Sequence, residues 1–336
     1  MAAPKLTLEP RLVYAVVITV LGVSFAATRL WFRYMVDKRA RAKLYVGGDL
    51  LVVVAVIGSV AYFACHVSLW RILWRMRGKT WIWRELLEYR VETLQMQYWM
   101  NQAYILSLWA IKGSFVCLYA NAKSAMPPRT YWFMIATTLY TILSGLVAYC
   151  LNVFSCWPIP RYWSVHLDSC TNIYYFRYLW VTSAAHLSSD LLILLMGIVV
   201  VRLATGMRRT EVIAVVFIFA LGFVTIGAAC VRLGVQLTFM DTFTSGAIIA
   251  NSELGDRISR WVAVASMAEM NVAIVTVTIP TLRVWVRRRR TMREGLEMVC
   301  ARPPSVGGLK EEERWDEETA MEGKDGKRWW RPVRVW

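Results

Sequence analysis

DLLVVVAVIGSVAYFACHVSLW, residues Asp49–Trp70, decides the class of fold. After Asp49 no charged side chain appears until Arg71, and the stretch between them is almost wholly apolar. Crossing roughly 30 Å of hydrocarbon takes about 20 such residues in a helix. A run of this length is far too long for a barrel strand, and a chain in lipid must satisfy its backbone within the segment, so a transmembrane helix is the reading.

Working outward, the same signature recurs at Leu12–Trp31, Met96–Leu118, Tyr131–Phe154, Tyr175–Val201, Val212–Leu237 and Trp261–Val284. Seven spans follow, an all-α membrane protein built as a seven-transmembrane-helix bundle. Composition agrees. Of 336 residues, 57% are hydrophobic and 18% charged, against about 45–50% and about 25% in an ordinary soluble domain. Met1–Arg11 is polar and the first apolar run is too long for a signal-peptide core, so helix 1 is expected to be a retained anchor.

The formal net charge is +16. Lys and Arg sit mainly between the spans, where they set orientation and meet anionic headgroups, so no nucleic-acid partner is expected. Arg33 to Lys43, Lys123 with Arg129, Arg202 with Arg208 and Arg209, and the run Arg287–Arg290 after helix 7 all fall on one side. That side is assigned to the cytoplasm, with the N-terminus outside and the C-terminus cytoplasmic. The basic connection between helices 2 and 3 runs against this rule, and Trp81–Glu92 within it reads as an interfacial helix lying flat on the outer leaflet. Residues 1–290 form the expected membrane domain. From Thr291 on, Pro303-Pro304, Gly307-Gly308 and the mixed charges of Lys310–Glu318 read as a disordered cytoplasmic tail over 291–336.

Ionisable residues inside spans each cost at least about 2.5 kcal/mol on insertion scales and need a partner or a task, and four stand out. They are Lys112, Asp190, Arg232 and Glu269. Lys112 and Asp190 each lie about 15–16 residues into their spans, roughly 24 Å down, so a pair between helices 3 and 5 is geometrically open. His186 sits one turn from Asp190 on the same face. Glu269, about 8 residues into helix 7, is within reach of the long Arg232 side chain from helix 6. These residues read either as a lock between helices or as polar groups lining a ligand cavity. Asp49 with Arg29 and Arg33 reads as structural, and His66 as a satisfied interhelical hydrogen bond. Cys156 and Cys170 share the loop between helices 4 and 5, on the outer side, where a disulfide is reasonable and would hold the loop as a lid. Cys65, Cys117, Cys150 and Cys230 read as packing residues within spans. The three histidines fall in separate segments without ligand spacing, so neither a metal nor another cofactor is expected.

A set of residues in order resembles the fungal seven-helix rhodopsin-domain family, which includes the Pth-type orphan receptors and the satratoxin-cluster type membrane proteins. The carriers are Arg29, Arg33 and Asp49; Lys112-Gly113-Ser114 with Tyr119; and Cys156-Trp157-Pro158, Trp163 and Cys170. Asp190, Arg232, Glu269 and Pro280-Thr281-Leu282-Arg283 complete them. The resemblance spans about residues 10–290. It implies a multi-pass protein, most readily of the plasma membrane, and either an orphan receptor or a member found near secondary-metabolite gene clusters. It does not imply retinal chemistry, since Trp261–Val284 contains no Lys for a Schiff base.

Two functions stay open. One is a receptor-like sensor that binds a small apolar ligand in the outer half of the bundle and meets a cytoplasmic signalling protein. The other is a membrane-embedded enzyme or accessory protein of a secondary-metabolite pathway that uses Asp190 or Glu269 as acid or base. No phosphate loop or nucleophile motif demands catalysis.

Overall fold

The computed structural model describes residues 10–36, 43–76, 83–120, 126–154, 156–164, 172–203, 209–244 and 261–279, with the short pieces 321–322 and 328–329. Seven helices are long and apolar enough to cross a membrane. They are α1 Pro10–Val36, α2 Lys43–Met76, α3 Trp83–Ala120, α4 Pro128–Phe154, α5 Asn172–Leu203, α6 Arg209–Thr244 and α7 Trp261–Ile279. A 3-10 turn, Ile159–Trp163, follows α4. Pro280-Thr281-Leu282-Arg283 lie outside the described residues.

The chain divides into two compact units, Met1–Trp285 and Val286–Trp336. In the second, only two short strands are described, β1 Met321–Glu322 and β2 Arg328–Trp329. They pair antiparallel, Met321 opposite Trp329 and Glu322 opposite Arg328. The rest of the tail expected to be structureless lies outside the described residues.

One expectation fails outright in α3. The segment read as a flat interfacial helix is instead the first turns of α3, which runs unbroken for 38 residues. No Gly or Pro interrupts residues 83–112, and Arg, Glu and Leu are good helix formers, so nothing in the sequence stops the helix at the hydrocarbon edge. At about 1.5 Å per residue, α3 is roughly 57 Å long, well beyond the thickness of a hydrocarbon core.

The core lies on α1, α2, α3 and α7. One cluster packs Ala15, Tyr62, Met100, Tyr104, Met267 and Met270; a second packs Ala26, Val52, Ala55, Ile111, Ile274 and Val277. The outer helices invert the soluble pattern. In α4 the buried face is Met134, Thr137, Thr141, Gly145, Ala148 and Asn152, while Leu139, Ile142, Leu143 and Leu146 are exposed. Apolar surface of that extent is costly in water but neutral against lipid tails, where small and polar side chains mark the helix contacts instead. Gly145 is such a contact, since a Cβ there would run into the Trp109 indole of α3.

Candidate functional site

The helical period brings the site together. On α3, Tyr104, Leu108, Ile111, Lys112, Phe115 and Tyr119 recur at three- and four-residue steps and so share one face. On α5, His186, Asp190 and Ile193 do the same. Facing each other, these stripes bury Lys112 and His186 almost completely.

Lys112 is the hub of the first half of the site. Its ammonium lies 3.0 Å from Asp190 Oδ1. It also donates to the Ser189 hydroxyl at 2.6 Å and to the His186 carbonyl at 2.8 Å, and it meets His186 Nδ1. Four acceptors therefore surround three N–H groups. The indole of Trp109 lies 4.9 Å from the ammonium and 5.9 Å from the imidazole.

Glu269 is the hub of the second half. One oxygen meets His186 Nε2. The other accepts from the Tyr104 hydroxyl at 2.6 Å and lies 3.3 Å from Arg232 Nε. The Arg232 guanidinium also stacks over the Tyr104 ring at 4.4 Å. Glu269 is 1% exposed, which in lipid demands this degree of pairing.

His186 joins the halves. With Lys112 donating to Nδ1, the ring proton belongs on Nε2, where it donates to Glu269. Two cations then face two carboxylates around a neutral ring, and the buried assembly carries no net charge. What were read as two separate pairs are one network across α3, α5, α6 and α7.

Below the network lies a cavity of about 70 Å³. Lys112, His186, Asp190 and Glu269 form one end, and Phe115, Phe219 and Ile193 are among its walls. It extends toward Tyr119 on α3, Thr276 on α7 and Phe219 on the antiparallel α6. The space therefore runs from the network toward the C-terminal ends of α3 and α7. In the expected orientation this cavity lies in the cytoplasmic half, whereas the sequence reading placed a ligand in the outer half. The reason is that the outer side of the network is filled by Tyr62, Tyr104 and Arg232, all buried.

The remaining expected residues fall elsewhere. Asp49 Oδ1 accepts from Arg33 at 2.6 Å and from Arg29 Nε at 3.1 Å. Arg29 also donates to the Val277 carbonyl at 2.8 Å. Arg29 therefore ties α7 at Val277 to α1 and, through Asp49, to α2. His66 does not follow its expectation: Nδ1 is buried and meets no hydrogen-bond partner among the described residues. Cys65, Cys117, Cys150 and Cys230 are not disulfide-bonded. Cys156 is disulfide-bonded, and Cys170 lies outside the described residues.

Several residues of the site were not singled out beforehand. Tyr104, Ser189 and Trp109 are uncharged, and nothing but their register with Lys112 and His186 marks them. Register was a usable signal for Tyr104, two turns before Ile111 on the same stripe. Asn271 was also missed; it accepts from Ser59 at 3.3 Å and joins α7 to α2.

Neither a curated protein nor a solved structure matches the chain significantly. A family model described as the fungal rhodopsin domain matches residues 28–288, which includes every residue of the network and both arginines of the Arg29–Asp49 cluster. A match over that much of the chain establishes kinship: this multi-pass membrane protein belongs to the fungal rhodopsin domain family.

Proposed function

We propose that the protein is a receptor-like membrane sensor whose ligand is a small apolar molecule held between α3, α5, α6 and α7. The observation that carries this reading is an apolar cavity walled at one end by a charge-balanced network. Four helices meet there, so an occupant bears on all of them. Two consequences support signalling. The network contributes Glu269 from α7, and the same helix is held through Val277 by Arg29, so strain at one end has a path to the other. In addition α6, the least buried span, forms one wall of the cavity and has the fewest constraints on shifting. Basic connections on the expected cytoplasmic side would then meet a signalling partner.

The enzyme reading is weaker on this geometry. A general acid or base needs a free lone pair or proton aimed at a substrate. Both Glu269 oxygens are engaged by His186, Tyr104 and Arg232, which leaves Asp190 as a lone acceptor at the cavity with no acid to work beside it. A link to secondary metabolism rests on the resemblance noted from the sequence.

The test is a comparison of metabolite extracts from a host lacking the gene, rescued with the native chain or with an Asp190→Asn, Glu269→Gln double variant. A sensor predicts that whole pathways rise or fall together, with no single intermediate building up. Accumulation of one intermediate that only the native chain clears would overturn the proposal in favour of an enzyme or carrier.

A further inference from the structure

The polar end of the cavity offers an acceptor and no donor, and this sets the ligand's chemistry. The three N–H groups of Lys112 are already surrounded by four acceptors, and the Nε2 proton of His186 goes to Glu269. Asp190 is different. Its Oδ1 meets Lys112, but among the described residues Oδ2 meets only the His186 ring, at 3.4 Å, too long for a strong hydrogen bond. Its side chain keeps 19% of its surface, on the edge of the cavity.

Close to Asp190 the walls add no donor either. The hydroxyls of Thr225 and Thr276 each donate to carbonyls of their own helices, at 2.7 Å. Tyr119 lies about 10 Å further along, seven residues from Lys112. Its hydroxyl lies close to Gly197, where a Cβ would come within 2.7 Å of it.

Electrostatics narrows the choice further. Two cations and two carboxylates already balance, so any ionic ligand would leave one uncompensated charge in a low-dielectric site. A carboxylate would in addition face Asp190 without a donor to meet it. We infer that the cavity selects neutral molecules carrying a hydroxyl on a small apolar body, a phenol or short alcohol, with that hydroxyl donating to Asp190 Oδ2. Size agrees, since about 70 Å³ admits a compact ligand rather than a long chain. The inference rests on the sensor reading and specifies the ligand class for the same cavity.

The experiment measures binding to the full chain in detergent or nanodiscs, by calorimetry and thermal shift, with phenol, toluene, benzoate and benzylamine. These share one ring and differ in the group offered to Asp190. Phenol is expected to bind about tenfold more tightly than toluene, because a hydrogen bond to a charged acceptor is gained, and both ions are expected to bind most weakly. Asp190→Asn should bring the phenol-to-toluene ratio toward one. Because that variant disturbs an ion pair, Ala273→Leu provides an independent arm, filling the cavity without touching the network, and should abolish binding of both. Equal binding of phenol and toluene, both lost in Ala273→Leu, would overturn the hydroxyl rule and leave the apolar-ligand sensor standing. Preferential binding of benzoate or benzylamine would overturn the charge argument. Absence of binding, or binding indifferent to Ala273→Leu, would sink the ligand class and the cavity as a ligand site together.

Discussion

α6 and α7 have nearly the same mean hydropathy, 1.6 and 1.8, yet 11% of the α6 window is buried inside the protein and 56% of the α7 window. In water such a difference would be visible as a difference in apolar pattern. In lipid it is not, because the outside of the bundle is as apolar as its inside. What separates the two helices is their polar content. α7 buries Ser266, Glu269, Asn271, Thr276 and Thr278, each with a hydrogen-bond partner, whereas among the described side chains of α6 the buried ones are Ala229 and Arg232. Ser266, Thr276 and Thr278 bond their own helix, but Glu269 and Asn271 need partners on other helices, and such side chains draw their helix to the centre.

The largest effect that would sharpen this contrast is at Glu269. Glu269→Ala leaves Arg232 without its counter-charge and His186 Nε2 without its acceptor, and should cost about 3–5 kcal/mol of folded-state stability. Thermal unfolding in detergent checks this, together with Glu269→Gln, which keeps the shape and should lose less. A fall below about 1 kcal/mol for the alanine variant would mean that α7 is held at the centre by apolar packing alone.

Next comes the Lys112–Asp190 pair. Lys112→Met alone should destabilise by about 2–3 kcal/mol, somewhat below a fully buried pair because Asp190 keeps partial exposure. The double variant Lys112→Met, Asp190→Leu should recover most of that loss, since apolar replacement of both partners removes the orphaned charge. If the double variant is no better than the single one, the pair is not the coupled unit described here.

The smallest effect is a glycine comparison between an inward and an outward face. Gly145→Ala forces Trp109 off the α4 surface and should cost about 1–3 kcal/mol. Gly227→Ala on α6 meets nothing within 4 Å, so its effect should stay within about 0.5 kcal/mol. Equal effects at both positions would show that α6 is packed against something at Gly227.

The spans were legible in the sequence because a helix in lipid is specified by length and hydropathy alone, as at Asp49–Trp70. The first turns of α3 were not, because the charges of Arg84, Glu85 and Glu88 mark the edge of hydrocarbon, not the end of a helix. The site was legible in part. Lys112, Asp190, Arg232 and Glu269 stand out as charges within apolar runs, and rise per residue places them at depths where they can meet. His186 was visible as a neighbour of Asp190 but not as the bridge to Glu269.

By itself, then, the sequence determined that this chain crosses a membrane seven times and which buried charges it must satisfy there. Tertiary structure alone decided that two expected pairs merge through His186, and that a cavity opens on the Tyr119 side of the network. It also decided that α7 is central while α6 faces outward. The physical reason is rotational. Depth follows from counting residues along an axis, but the azimuth of a helix that is apolar on every side carries no periodic signal. It is set by which polar and small side chains find each other across helices, and those partners are scattered from Arg29 to Val277.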